Sequence, residues 1–175
     1  MKIKYTLAIL VSLLMTSCTK SSIELLESSE QNTENNQIDL AIKDLQKLLE
    51  KYPNDSLASK AQYKLASIHL NWKNDLKSGL VELQNTVDNY GESIHGEQAQ
   101  TQIDEFPNYI LNKAESLRKR KLLKEAVDHL MYMTGEYPQH ELTPKAQYML
   151  GDMYMNDFRD FTTAIQEYRK VSEKF

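Results

Sequence analysis

The chain has 175 residues, of which 26% are charged and 41% apolar, with a formal net charge of −4. That balance fits a folded domain of ordinary size and excludes a disordered chain, and the acidic net charge makes no electrostatic case for binding nucleic acid. Gly (5) and Pro (4) are scarce, as in a mostly helical chain, and a single Cys excludes an internal disulfide.

The N-terminus carries Lys2 and Lys4, then the apolar run Leu7-Ala8-Ile9-Leu10-Val11-Ser12-Leu13-Leu14, too short to span a bilayer at about 20 residues. Met15-Thr16-Ser17-Cys18 follows directly. The segment resembles a bacterial lipoprotein signal, with Met15 where Leu is usual. The resemblance implies a signal peptide over 1–17, cleavage before Cys18 and acylation of its sulfur, with 18–21 as a short tether. An ordinary signal peptide or short anchor with an incidental Cys is the alternative. Cleavage removes Lys2 and Lys4 and takes the formal net charge to −6. Thr19 rather than Asp after the Cys implies, by the sorting rule of diderm bacteria, an outer-membrane destination.

Residues 22–175 read as helices. Ile23, Leu25 and Leu26 open one that weakens toward Asn35-Asn36; Ile38, Ala41, Ile42, Leu45, Leu48 and Leu49 form a second, stopped by Tyr52-Pro53. Ser56 is the expected N-cap of a third, whose apolar face is Leu57, Ala61, Leu65, Ile68 and Trp72. After the turn at 71–75, Leu76, Leu80, Leu83 and Val87 lead to Tyr90-Gly91. Residues 96–105 read helical up to Phe106-Pro107, where either a new helix begins with Pro at N1 or one long helix kinks. Tyr109, Ile110, Ala114 and Leu117 precede the basic run 118–121, expected to be a solvated turn. Leu122, Leu123, Ala126, Val127, Leu130 and Met133 follow, to a stop at 135–138. Thr143-Pro144 is expected to cap a helix carrying Ala146, Leu150, Met153 and Tyr154, and Phe161, Ala164, Ile165, Tyr168 and Val171 form the last.

The pattern repeats. YPNDSLASKAQYKL at residue 52 and YPQHELTPKAQYML at residue 137 place Ala-Gln-Tyr nine residues after a Tyr, and a fainter copy starts at Tyr90. The spacings 52 to 90, 90 to 137 and 137 to Phe175 are 38, 47 and 38. Such a period marks an all-α solenoid of helical hairpins, here about four. Small residues about 12 apart, Ala66 with Gly79, Ala114 with Ala126, Gly151 with Ala164 and Ser29 with Ala41, allow close helix crossing. The units resemble tetratricopeptide repeats, more closely in units two and four than in one and three, with Gln147 where Trp is usual. Residues 145–154 after a Tyr-Pro stop are also similar to two envelope families: the outer-membrane lipoprotein of β-barrel assembly and the Tol-Pal-associated cell-division coordinator. The resemblance implies protein partners in the envelope, a lipid anchor to the outer membrane facing the periplasm, no cofactor and no enzyme activity.

The residues agree on chemistry. His69, His95, His129 and His140 lack metal-ligand spacing, and no Gly-rich phosphate loop or Ser elbow is present. No catalytic or metal-binding residue is therefore assigned. Five of seven Met fall within 131–155 beside Tyr132, Tyr148 and Tyr154; Met133, Met153 and Tyr154 are expected in the core. The expected protein-binding groove is Tyr63, Tyr148, His69 and Met149. A scaffold in envelope biogenesis is the leading reading; a holdase for exported chains, a Tol-Pal adaptor and a self-association surface are the alternatives.

Overall fold

A computed structural model describes residues 20–175, so the expected signal segment 1–17 and Cys18 lie outside the described residues. Among the described residues there are nine α-helices and no strand: α1 Ser22–Glu34, α2 Ile38–Lys51, α3 Ala58–Asn71, α4 Leu76–Tyr90, α5 Ile94–Asp104, α6 Phe106–Lys119, α7 Leu123–Glu136, α8 Thr143–Met153 and α9 Phe161–Lys174. Helices α1 and α2, α3 and α4, α6 and α7, and α8 and α9 pack as hairpins. Each second helix also packs on the next first helix, α2 on α3, α4 on α5 and α7 on α8. This is an all-α solenoid of four hairpins.

Each hairpin turns through one left-handed residue placed two before its second helix: Asn36, Asn74, Lys121 and Arg159, with φ of 57°, 51°, 61° and 57°. Their spacings are again 38, 47 and 38. The next residue's amide reaches back to a carbonyl of the first helix, as from Gln37 to Asn32 (2.7 Å) and Leu122 to Leu117 (2.9 Å), so the helix end is sealed by backbone alone. That is why residues as different as Asn, Lys and Arg serve.

Where hairpins meet, side chains do the capping, and two expected caps are corrected. Ser56 does not cap α3; Asp55 Oδ1 accepts the Leu57 amide at 2.8 Å instead. Thr143 is the first residue of α8 rather than its cap, and its hydroxyl donates to the Tyr137 carbonyl. His140 Nδ1 takes the Leu142 amide at 3.2 Å, the same service that Asp55 gives one Tyr-Pro repeat earlier. Trp72, expected on the apolar face, is instead 47% exposed at the end of α3.

The small residues act as anticipated. Ala66, Ala126 and Ala164 are fully buried, and Ser29 and Ala41 are buried where α1 crosses α2. A Cβ on Gly151 would lie 2.6 Å from Tyr168 Cδ1, so that ring rests on the bare backbone of α8. Met133 and Met153 are buried, as expected of core residues, and Tyr154 packs against the core at its edge.

The hairpins are also latched by polar bonds that helical periodicity does not reveal. Gln62 and Gln147, the Gln of the two Ala-Gln-Tyr copies, are buried, and each Nε2 donates at 2.6 Å to a carboxylate on the paired helix, Glu82 and Glu167. In the first hairpin buried Asp44 accepts from Ser28 (2.7 Å) and Asn32 (2.9 Å). The third copy's Gln100 is exposed and bonds only to Asp104 in its own helix.

The third unit holds the extra residues. Only Glu105 separates α5 from α6, and Pro107 occupies the first turn of α6, where its missing amide costs nothing. Gly96, Ala99, Phe106, Ile110, Ala114 and Leu117 run as one buried stripe through the interruption, so α5 and α6 form a single broken rod. α5 lies on α3 and α4, whereas α6 lies on α7. Within α7, His129 is 2% exposed. Its Nδ1 donates to the Glu125 carbonyl at 2.8 Å, and burial pushes its pKa down despite that bond.

Candidate interaction grooves

The first helices, α1, α3, α5–α6 and α8, share one face and are strapped to one another by polar bonds. Glu30 on α1 receives Lys64 (3.0 Å) and Lys60 (3.3 Å) from α3, and its bond to Lys64 holds its carboxyl below the usual range. Tyr63 on α3 donates to Gln102 on α5 at 3.0 Å. Tyr109 on α6 donates to the Leu70 carbonyl at 3.0 Å, and burial pushes its phenol up to about 12. Lys145 on α8 meets Glu115 on α6 at 3.5 Å.

The tightest strap is Arg118, near the end of α6. Its Nη1 lies 2.6 Å from Asp152 and its Nε 2.5 Å from Asp157. Asp157 belongs to a single π-helical turn, Tyr154–Phe158, which follows α8 and brings this carboxylate toward α6. Burial alone would lower the guanidinium pKa, and its hydrogen bonds to Asp152 and Asp157 raise it instead. Arg118 was expected in a solvated turn. It is instead an internal clamp, while Lys119, Arg120, Lys121 and Lys124 stay exposed, with Lys121 only 3.7 Å from Asp157.

Between the straps lie three grooves. One of about 300 Å³ runs between α1 and α3, past Glu30, Lys64, Ile68 and Trp72. A second, about 580 Å³, is bounded by Tyr63, Gln98, Gln102, Tyr109 and Asn112. The third, about 570 Å³, lies between α6 and α8, with Tyr148 and Met149 beside Arg118, Lys119, Lys121 and Lys145.

The residues singled out from the sequence therefore divide. Tyr148 and Met149 share the α6–α8 groove, where Tyr148 is 56% exposed and its ring packs against Tyr168 at 5.3 Å. Tyr63 lines the neighbouring groove, half-buried, with its ring 6.1 Å from that of His95. His69 lines none of these grooves; it sits near the end of α3, and its backbone carbonyl takes the Asp75 amide. Arg118 and Tyr109 were not anticipated. The first lay within a basic run, and the second read as one of a core stripe.

Comparison with known families places one unit. A model described as tetratricopeptide repeat matches residues 25–55, which comprise most of α1, all of α2 and the Tyr52-Pro53 stop. The chain contains a tetratricopeptide repeat. No curated protein matches the chain. The matched repeat is the first hairpin, although the sequence resemblance is sharper in the second and fourth. Its marks are the buried pair Ser29 and Ala41 and the closing Tyr-Pro. Tetratricopeptide repeats generally mediate protein–protein interaction.

Proposed function

We propose that the chain is a lipid-anchored scaffold of a bacterial envelope that holds partner proteins on the face of its first helices. The observation that carries this reading is the row of grooves along that face, with Tyr148 left open beside Met149. An exposed Tyr on a rigid helix offers a large contact area at low conformational cost, and Met adapts its shape. The Lys2, Lys4 and 7–18 pattern supports export and acylation at Cys18, which would place the solenoid on the periplasmic side of the outer membrane. The Lys-Ala-Gln-Tyr-Met-Leu-Gly-Asp run at 145–152 resembles both envelope families, and acylation at Cys18 would favour a partner in β-barrel assembly over one in the Tol-Pal system.

The test is affinity capture from detergent-solubilised membranes, with the intact chain beside a Tyr63→Ala/Tyr148→Ala variant. A dominant envelope partner lost in the variant supports the scaffold and its grooves. A diffuse set of unfolded clients, unchanged in the variant, refutes it in favour of a holdase. Labelled palmitate incorporated by the intact chain and lost in Cys18→Ala checks the anchor.

A further inference from the structure

The α6–α8 groove differs from its neighbours in charge, and this extends the scaffold reading, on which it rests, to the chemistry of the partner. The chain as a whole is acidic, with 25 Asp and Glu against 21 Lys and Arg. Around this groove the balance reverses. Arg118, Lys119, Lys121 and Lys145 line it with only Glu115 and Asp157, and Arg120 and Lys124 stand exposed at the same end.

The carboxylates there are already engaged. Asp152 and Asp157 hold Arg118, and Glu115 faces Lys145. A cationic ligand would have to break these pairs. Lys119, Arg120 and Lys124 form no ion pair among the described residues, and Lys121 is 78% exposed with one contact at 3.7 Å. The unspent charge is therefore positive and lies at one end of the groove. The other side offers the open ring of Tyr148 and half-buried Met149. The Arg118 clamp holds α6 and α8 at fixed separation, so a ligand meets a preformed surface.

We propose that this groove receives an acidic peptide segment of a partner protein, with Asp or Glu at Lys119, Lys121 and Lys124 and an apolar side chain over Tyr148 and Met149. Charge reversal on a protein of opposite overall sign also steers the encounter, because such a segment is repelled from the rest of the surface.

The experiment is fluorescence anisotropy of the full chain in nonionic detergent with two labelled peptides. They share a central Leu and Phe and differ in flanks, one Glu and Asp, the other Lys. The acidic peptide should bind, and its affinity should fall as salt rises from about 50 to about 300 mM. Lys119→Glu/Lys121→Glu should weaken it about tenfold. Lys43→Glu/Lys47→Glu, on the exposed side of α2, should not. Equal binding of both peptides, or indifference to the Lys119/Lys121 change, overturns the proposal. So does binding to vesicles of phosphatidylglycerol, lost in the same variant, when neither peptide binds, because the basic end then serves a membrane. If the capture experiment still yields a partner that depends on Tyr63 and Tyr148 but not on Lys119 and Lys121, the acidic-segment inference fails and the scaffold stands.

Discussion

Three Gln residues at equivalent places in the repeat, 62, 100 and 147, provide an internal comparison of one side chain in two settings. Gln147 is 3% exposed and gives its amide to the Glu167 carboxylate at 2.6 Å and to the Glu167 carbonyl at 3.1 Å, so it ties α8 to α9. Replacing it by Ala removes a hydrogen bond to a charged acceptor, about 1.5–3 kcal/mol. It also empties the space of a buried methylene, about 0.8 kcal/mol. Lys170 still neutralises Glu167 at 2.7 Å, which limits the penalty on the abandoned carboxylate. The sum is about 2–4 kcal/mol, or a fall in Tm of roughly 5–15 °C for a domain of this size. Gln62→Ala, which loses the bond to Glu82, should behave alike. Gln100→Ala should change stability by no more than about 0.5 kcal/mol, since its bond to Asp104 stays on one exposed helix. Circular dichroism at 222 nm with urea and heat measures all three. A double-mutant cycle of Gln147→Ala with Glu167→Ala should return a coupling of about 1 kcal/mol or more. If Gln100→Ala costs as much as Gln147→Ala, the effect is one of helix composition and the latch is refuted.

Gly151→Ala should destabilise by about 1 kcal/mol despite the better helix propensity of Ala, because the new methyl meets the Tyr168 ring at 2.6–2.9 Å; Gly135→Ala, with nothing within 4 Å, should stabilise by about 0.5–1 kcal/mol, and chemical denaturation decides both signs. Arg159→Gly should gain about 1 kcal/mol by relieving a side chain at φ 57°, read as a higher urea midpoint at unchanged slope. His129 and His95 both have pKa values pushed down in the folded state, first by burial. Their contribution is therefore complete above the unfolded value of about 6.5 and is lost as pH falls below it toward the folded values, at no more than about 1.4 kcal/mol per pH unit for each. Melting at pH 7.5 and 5.5 should show that loss, and His129→Leu should flatten part of it.

Much of this architecture was legible because its strongest marks are chemical. A Tyr-Pro stop and an Ala-Gln-Tyr triplet recur as letters, and the small residues that let helices cross are few in kind. The hairpin turns at 71–75 and 118–121 were placed from the sequence, but the left-handed residue common to all four was not. Asn36, Asn74, Lys121 and Arg159 share one backbone conformation across two unlike chemistries, amide and basic. The Gln latches were hidden because a Gln on a helix ordinarily faces water, and the acceptor lies 20 residues away on another element. Tyr148, picked by repeat register, and Met149, picked from the Met cluster, lie side by side in the α6–α8 groove. Arg118 was masked by its basic neighbours, since only the π turn beyond Met153 reveals which of them has a carboxylate waiting. His69 was misplaced because six residues of helix carry it well round from the Tyr63 side.

The rod formed by α5 and α6 sets a distance. The nine residues by which this unit exceeds its neighbours amount to roughly 13 Å of helix. The first helix, 94–119, takes up all of them and more, because the connection before it shortens to 91–93 where the other units have 52–57 and 137–142. The α1–α3 and α6–α8 grooves are thus held apart by a spacer that the regular pitch of the chain does not contain. A binding partner with its own evenly spaced contacts would match one end of this protein and fall out of step at the other. A ligand that gripped both ends at once would need a compensating gap of that length.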